Sequence, residues 1–183
     1  MLNDIQFIQD HAELLHSQQE VEAALDAMAA QINRQLAGTN PLVLCVMNGG
    51  VVVAGQLLTR LTMPLNVDAI NASRYRNQTS GGTVEWVLKP RLPLQGRTVL
   101  LIDDILDEGI TLAAIHAFCL GQGAAAVYCA VLADKLLGRA KPIRADFVGL
   151  EVVDRYVFGY GMDYKGYLRN APGIYACPTD NQE

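Results

Sequence analysis

The stretch 99–111 places acidic side chains beside a glycine in a pattern that could bind a charged ligand. Asp103 and Asp104 come directly after a short aliphatic run, and two further acids and then Gly109 follow. Packing carboxylates against the end of a buried strand removes them from water, which costs free energy unless a ligand binds them. The glycine permits a tight turn, and the first amides of a helix point at an anion. Acids that can bind hydroxyl groups or a metal therefore lie next to amides that can bind a phosphate. This combination predicts a site for a sugar phosphate.

The spacing of these acids assigns them different places in the site. Asp103 and Asp104 are adjacent, so in a strand their side chains point to opposite faces. We expect one to face a ligand or metal while the other supports it, both just past the carboxyl end of a strand over 98–102. Asp107 is expected on the following turn, where it can reach a ligand from the side. The alternative is a solvated acidic turn, because acids are favourable at a helix N-terminus.

Strands and helices alternate along the chain, and this order positions the acids at one edge of a sheet. Residues 17–20 form a capping box before an apolar helical stripe that ends near Gly38. Further helical stripes follow at 51–61 and 112–119. Strands or short apolar pieces are predicted at 41–47, 65–71, 84–88, 98–102, 126–132, 147–150 and 156–158.

This order predicts one α/β domain over residues 1–183, with a central, mainly parallel sheet flanked by helices. Its core is expected over about 38–150. Residues 72–83 are almost free of apolar side chains, so we expect a long exposed connection there, either a functional lid or an ordinary mobile loop.

Composition excludes several classes of protein. The chain has 183 residues, 51% of them hydrophobic, and a net charge of -5, which favours one folded domain and gives no nucleic-acid signature. The N-terminus is polar and acidic, unlike a signal peptide, and the apolar runs are too short for a bilayer. We therefore expect a soluble cytoplasmic protein without a membrane partner. The four cysteines are expected to be reduced structural thiols, and the scattered histidines argue against zinc.

Residues 100–111 resemble the phosphoribosyl-pyrophosphate (PRPP) motif of type I phosphoribosyltransferases. That motif is an aliphatic strand, two acids, two apolar residues, then Asp, a small residue, Gly, any residue and Thr. The resemblance implies that the paired acids hold the ribose hydroxyls, that the turn holds the 5′-phosphate, and that Asp107 is the general base. Glu108 departs from the family, which usually has Thr or Ser there, and a carboxylate repels a phosphate unless it points away or meets a cation. The implied PRPP-binding residues are Asp103, Asp104, Asp107, Glu108, Gly109, Ile110 and Thr111.

Two other segments resemble the purine branch of the family, the hypoxanthine-guanine phosphoribosyltransferases. Residues 44–50 resemble their pyrophosphate loop, with Asn48 in place of the usual Lys or Arg. The resemblance implies that Asn48, the backbone at Gly49 and the side chain of Arg169 bind pyrophosphate. Ser73, Arg74 and Tyr75 resemble the Ser-Tyr pair of the family's mobile lid, with Arg74 inserted between the two.

The C-terminal part resembles the family's base-binding hood, and the resemblance implies a small hood over about 1–16 and 151–183. By this resemblance Lys135 donates to the purine 6-oxo group, Tyr156 stacks on the ring, and the Val157 backbone reads the N1 and 6-oxo edge. Met162 and Asp163 are implied to lie near the purine 2-position. Taken alone, such a lysine is more often a solvated charge and such a tyrosine a core residue. The resemblance also implies a magnesium ion, with ligands drawn from Asp103, Asp104 and Asp163.

The reaction implied is hypoxanthine or guanine plus PRPP giving IMP or GMP plus pyrophosphate, with Mg²⁺, in a homodimer or homotetramer. One alternative is a non-catalytic regulator on the same fold that senses PRPP or a nucleotide. The departures from the family pattern at Asn48 and Glu108 would suit such an impaired catalyst. A phosphate-switch receiver domain is disfavoured, because it would need its acid pair early in the chain. An adenine enzyme conflicts with Lys135, because the adenine amino group does not accept its hydrogen bond. The sequence leaves the preference among hypoxanthine, guanine and xanthine open.

Overall fold

A computed structural model describes residues 1–74 and 84–178. Its elements, in chain order, are α1 (Leu2–His11), β1 (Glu13–His16), α2 (Gln18–Gln35), β2 (Leu42–Val46), α3 (Gly50–Leu58), β3 (Asn66–Arg74), β4 (Val84–Leu88), β5 (Thr98–Leu106), α4 (Ile110–Gly121), β6 (Ala126–Leu136), β7 (Phe147–Val153), β8 (Val157–Phe158) and β9 (Ile174–Ala176).

Six strands form the main sheet in the order β4-β3-β2-β5-β6-β7. All neighbours in it are parallel except the edge strand β4, which pairs antiparallel with β3. Every residue of β2 is buried, as expected for a parallel strand covered on both faces. Helices α2 and α3 pack into one apolar cluster and α4 into the other, so the sheet is covered on both sides. The predicted fold class, a single α/β domain with a mainly parallel sheet, is confirmed.

The first long helix begins as the sequence predicts. Ser17 is the N-cap of α2, and its backbone amide donates to the Glu20 carboxylate at 2.8 Å while the Glu20 amide donates to the Ser17 hydroxyl at 3.3 Å. These two bonds satisfy amides that the first turn of a helix leaves without partners. Gly38 follows the helix with φ at +74°, a conformation that favours glycine.

A second, smaller sheet in the order β1-β9-β8 joins the two ends of the chain. Helix α1 packs against it through Ile5 and Ile8, which share an apolar cluster with Phe158 and Tyr164. Local sequence patterns predict none of α1, β1 and β9, although both chain ends are expected in one hood. The hood boundaries at 16 and 151 stay a prediction.

Four strands, β3, β5, β6 and β7, extend further than the sequence predicts, and β7 ends at Val153 in place of residue 150. Strand β5 runs to Leu106, so Asp103 and Asp104 lie within it and not past its end. Strand β6 likewise includes Lys135, and β3 continues to residue 74, where a connection is predicted. The reason is backbone pairing. Strand β5 stays in register with β6 as far as Leu106 opposite Asp134, so the hydrogen bonding between the two strands continues past the point where charged side chains begin. Within residues 1–74 and 84–178, no helix is both long and apolar enough to cross a membrane.

Candidate active site

Two adjacent carboxylates lie at the carboxyl end of the central strand β5. Asp104 is only 8% exposed, and its amide donates to Asp103 Oδ1 at 2.9 Å. Burial, and then the charge of Asp104, raise the pKa of Asp103 well above its usual value; burial also raises the pKa of Asp104. Such a pair is costly to ionise unaided, so the site favours hydroxyl donors or a cation.

Arg169 connects this acid pair to the hood. Its Nη1 atom lies 4.0 Å from Asp104 Oδ2 and donates to the Gly161 carbonyl at 2.6 Å, and its Nη2 atom lies 2.6 Å from Asp163 Oδ1. Asp163 and Arg169 therefore form an ion pair, although a spacing of six residues would not bring them into contact on a helix. They meet because the chain turns back between them at the Tyr164–Tyr167 bridge.

The turn after β2 touches the acid pair through backbone alone. A Cβ atom on Gly49 would lie 2.0 Å from Asp104 Oδ2, and one on Gly161, where φ is +107°, would lie 2.2 Å from the Gly49 carbonyl oxygen. Only glycine fits such close approaches. The preceding Met47–Asn48 peptide bond is cis, and the Asn48 side chain is exposed. Asn48 and Gly49 thus line the same cavity as Asp103 and Asp104.

The turn between β5 and α4 is shaped to expose helix amides. Gly109 is the N-cap of α4 with φ at +79°, and in the part of the chain described here its cap forms no side-chain hydrogen bond. Unpartnered amides at a helix N-terminus attract anions. A cavity of about 340 Å³ opens in front of the turn, between the acid pair and Arg169. Its lining includes every PRPP-binding residue implied by the sequence: Asp103, Asp104, Asp107, Glu108, Gly109, Ile110 and Thr111.

A second cavity of about 220 Å³ lies between the acids and the hood. Tyr156 is 44% exposed there and meets Tyr164 edge to face at a centroid distance of 5.5 Å, so it is not a core residue. A lysine, an open aromatic face and strand backbone suit a flat ligand with polar edges. The lining comprises the five residues implied to contact the purine, Lys135, Tyr156, Val157, Met162 and Asp163, together with Asp104, Ile105 and Asp107.

Two ion pairs at this site were not foreseen from the sequence. Lys135 Nζ lies 2.7 Å from Asp107 Oδ2, which joins the candidate purine-binding lysine to the candidate base. Arg139 Nη2 lies 3.0 Å from Glu108 Oε1, so the carboxylate that departs from the family pattern meets a cation. The only signal for Arg139 in the sequence is a basic segment after Lys135, and nothing local connects it to Glu108.

The lid residues are only partly described. Ser73 and Arg74 are the last two residues of β3, and Ser73 lies opposite Glu85 of β4. Ala72, just before them, lines the larger site cavity. Tyr75 lies outside the described residues, so the lid stays a prediction.

The donors at the acid pair fit a magnesium ion. Across residues 1–74 and 84–178, no three His, Cys, Asp or Glu side chains gather into a complete metal cage. Magnesium is usually held by one or two carboxylates, with water and substrate phosphates as its other ligands, and Asp103 with Asp104 supplies that set. Asp163 is already paired with Arg169, so it would have to share its carboxylate.

Comparisons with known proteins agree with this geometry. Residues 11–165 match the family model of the phosphoribosyl transferase domain. Hypoxanthine-guanine phosphoribosyltransferase of Bacillus subtilis is 33% identical over 166 residues, which is 90% of this chain and 92% of that protein. A hypoxanthine phosphoribosyltransferase from Staphylococcus aureus superposes with a TM-score of 0.87 at 25% identity, covering 93% of this chain and 94% of that one. A hypoxanthine-guanine phosphoribosyltransferase from Bacillus anthracis gives 0.85 at 29% identity, covering 91% and 98%.

Proposed function

The chain belongs to the phosphoribosyl transferase family, and from this premise we propose that it transfers phosphoribose from PRPP to hypoxanthine or guanine, releasing pyrophosphate. The observation that carries the proposal is the adjacency of two cavities. The one with Lys135 and Tyr156 suits a purine, and the one with the acid pair and the α4 turn suits a ribose phosphate. Asp104 and Asp107 line both, so a base and a sugar placed in them would meet.

Lys135 sets the choice of base in this proposal. Its side chain is only 11% exposed, and its ammonium group donates hydrogen bonds only, so it suits a 6-oxo group and not the 6-amino group of adenine. Tyr156 offers its ring face to any purine, and the backbone at Val157 reads the ring edge. IMP and GMP are the products that follow.

The ribose phosphate is held from two sides. Asp103 and Asp104 accept hydrogen bonds from the ribose hydroxyls, while the amides that open α4 bind the 5′-phosphate. Arg169 and the backbone at Gly49 contact the pyrophosphate, where a guanidinium can donate two parallel hydrogen bonds. Mg²⁺, when bound at the acid pair, supplies positive charge that stabilises the leaving pyrophosphate.

Asp107 takes the proton that the attacking purine nitrogen must lose. Its carboxylate lines the purine cavity, and its contact with Lys135 fixes it beside the base. A carboxylate is a weak base in water, and exclusion of water around the bound substrates would strengthen it.

A spectrophotometric assay with PRPP, Mg²⁺ and each of hypoxanthine, guanine, xanthine and adenine tests the proposal. We expect turnover with 6-oxopurines and none with adenine. Turnover with adenine alone would contradict the role of Lys135. No turnover with any base, together with calorimetric binding of PRPP or GMP, would instead favour the non-catalytic regulator.

We also infer a cytoplasmic enzyme that assembles as a homodimer or homotetramer. Cys45, Cys119, Cys129 and Cys177 are free and buried, which suits a reducing compartment. Light scattering of the purified protein would measure the assembly, and a monomeric mass would contradict it.

A further inference from the structure

Leu106 and Asp134 directly precede the two residues that the proposed mechanism uses at the purine. Leu106 is the last residue of β5 and comes before Asp107, and Asp134 comes before Lys135 in β6. The two lie opposite each other as the final pair in the parallel register of β5 with β6. Asp107 therefore follows the point where the pairing of these two strands ends.

Lys141 joins the two strand ends. Its Nζ atom donates to the Leu106 carbonyl at 2.6 Å and to Asp134 Oδ1 at 2.5 Å. The Lys141 side chain is only 10% exposed and that of Asp134 is 30% exposed, so the contact is largely shielded from water and salt. An ammonium group shielded in this way, with two acceptors, forms charge-assisted hydrogen bonds of defined geometry.

The segment that carries Lys141 is itself packed against the start of α4. A Cβ atom on Gly109 would lie 3.3 Å from Ile143 Cγ2 and 3.5 Å from Pro142 Cδ. Ile143 also packs against the apolar cluster that contains Leu106. These apolar contacts hold the segment in place, so the ammonium group approaches the two strand ends from a fixed position.

The direct contact between Asp107 and Lys135 cannot by itself fix both side chains during the reaction. It joins Lys135 Nζ to Asp107 Oδ2 at 2.7 Å, and a bound 6-oxopurine would share the same ammonium group, so this contact changes when the ligand binds. Neither Asp134 nor Lys141 lines the two site cavities. The link through Lys141, one residue earlier on each strand, therefore stays intact when a purine is bound.

We propose that Lys141 is a positioning residue for phosphoribosyl transfer, which holds the ends of β5 and β6 so that Asp107 and Lys135 act on the same purine. This inference rests on the proposed function. Lys141 contacts neither substrate, so its effect passes through the two residues that it positions. The ribose phosphate is held by the acid pair inside β5 and by the amides of α4, so its binding should depend on Lys141 far less than purine binding does.

Calorimetric titration with GMP and with PRPP tests this division between base and sugar. Lys141→Met keeps the aliphatic stem and removes the ammonium group, and we expect the Kd for GMP to rise roughly tenfold and that for PRPP to change by less than about threefold. Lys141→Arg, which keeps the charge and its donors, should recover part of the GMP affinity. Lys89→Met is the matched control, because that lysine is exposed and lines neither site cavity. An unchanged Kd for GMP, or equal losses for GMP and PRPP, would overturn the inference.

A double-substitution cycle with Lys135 shows whether Lys141 acts through it. When Lys135→Ala is already present, adding Lys141→Met should change the Kd for GMP by less than about twofold, because the purine-binding ammonium group that Lys141 positions is gone. In the otherwise unchanged chain, Lys141→Met should also lower kcat/KM for hypoxanthine roughly tenfold. Independent losses of GMP affinity from the two substitutions would contradict the proposed role.

A second double variant separates positioning from stability. Lys141→Met removes the cation paired with Asp134, and breaking a shielded ion pair destabilises the fold. Asp134→Asn combined with Lys141→Met removes the remaining charge, so we expect thermal stability to recover while GMP affinity stays as weak as in Lys141→Met. Recovery of GMP affinity together with stability would show a merely structural role and overturn the inference. Failure of the wild-type protein both to turn over and to bind GMP or PRPP would instead overturn the proposed function.

Discussion

The contact between Asp107 and Lys135 joins two residues that the proposed mechanism uses for different tasks. Lys135 is 11% exposed and Asp107 is 49% exposed, so the lysine is the buried partner and the carboxylate reaches the open cavity. A bound 6-oxopurine would offer Lys135 a second acceptor beside Asp107. In the proposed complex, the Asp107 carboxylate and the purine oxygen would therefore both contact one ammonium group.

Replacing Asp107 by Asn keeps a side chain that accepts a hydrogen bond from Lys135 but removes the basic oxygen. We expect kcat to fall by roughly 10²- to 10⁴-fold, the usual contribution of general base catalysis, while the KM for PRPP changes little. Steady-state kinetics with hypoxanthine measures both quantities. An unchanged kcat would remove Asp107 from the role of base.

Replacing Lys135 by Ala should act mainly on the purine. Loss of a charged hydrogen bond costs about 1.5–3 kcal/mol, so we expect the KM for hypoxanthine to rise tenfold or more and the KM for PRPP to rise far less. Lys89→Ala is a matched control, because that lysine is exposed and lies 5.9 Å from the Trp86 ring, away from both site cavities. Equal increases for purine and PRPP would argue against a purine-reading role.

At the scale of elements, the turn from β2 to α3 is closely constrained by the strand β5 beside it. Gly49 and Gly50 both approach β5: a Cβ on Gly49 would meet the Asp104 carboxylate, and one on Gly50 would lie 2.5 Å from the Ile102 carbonyl oxygen. The turn cannot move away, since β2 and β5 are hydrogen-bonded neighbours. The position of the acid pair and the position of the turn are therefore set by the same contact.

Substituting two glycines of this region by alanine should change stability in opposite directions. Gly49→Ala forces a methyl group into Asp104, so we expect lower thermal stability and a raised KM for PRPP. Gly55→Ala lies inside helix α3, and no atom of the described residues comes within 4 Å of the new Cβ, so it should raise the free energy of unfolding by about 0.5–1 kcal/mol. Denaturant unfolding measures both. Equal stability of the two variants would contradict the close approach at Gly49.

Elements were predictable where one local pattern dominates. The capping box at Ser17 and the buried strand β2 are visible in a few neighbouring residues, and both are found. The predicted ends of β5 and β6 are too early because Asp103 and Asp134 interrupt their apolar runs. Pairing with the next strand extends both, and that interaction is not encoded in the local pattern.

At the scale of the whole molecule, the hood depends on contacts between chain ends. Strand β1 pairs with β9 from Glu13 opposite Ala176, and Arg155 forms an ion pair with Glu13 while donating to the Cys177 carbonyl at 2.8 Å. Strands of three or four residues carry no usable periodicity. The sequence therefore predicts the hood only through family resemblance, and the Glu108–Arg139 pair, 31 residues apart, not at all.

Burial of the four thiols in this packed structure predicts how the whole molecule responds to alkaline pH. Loss of solvation raises the pKa of Cys129 to about 12 and those of Cys45, Cys119 and Cys177 to about 11. An unfolded chain ionises its thiols near pH 8.5, so it releases their protons first. The free energy of unfolding should therefore be unaffected by these thiols below about pH 8.5 and decline as pH rises from there toward 11.

Thiol labelling at pH 8 checks the same burial without changing stability. The thiolate is the reactive species, so the native chain should react slowly with a disulfide reagent and the urea-unfolded chain should label all four cysteines rapidly. Mass spectrometry identifies the labelled positions. Cys177 is the informative one, because burial raises its pKa while the charge of Arg155 partly opposes that rise, and because it lies next to the hood strand β9. Labelling there ahead of the other three would show that the hood opens before the main sheet, and native labelling of Cys129 as fast as in urea would contradict its burial.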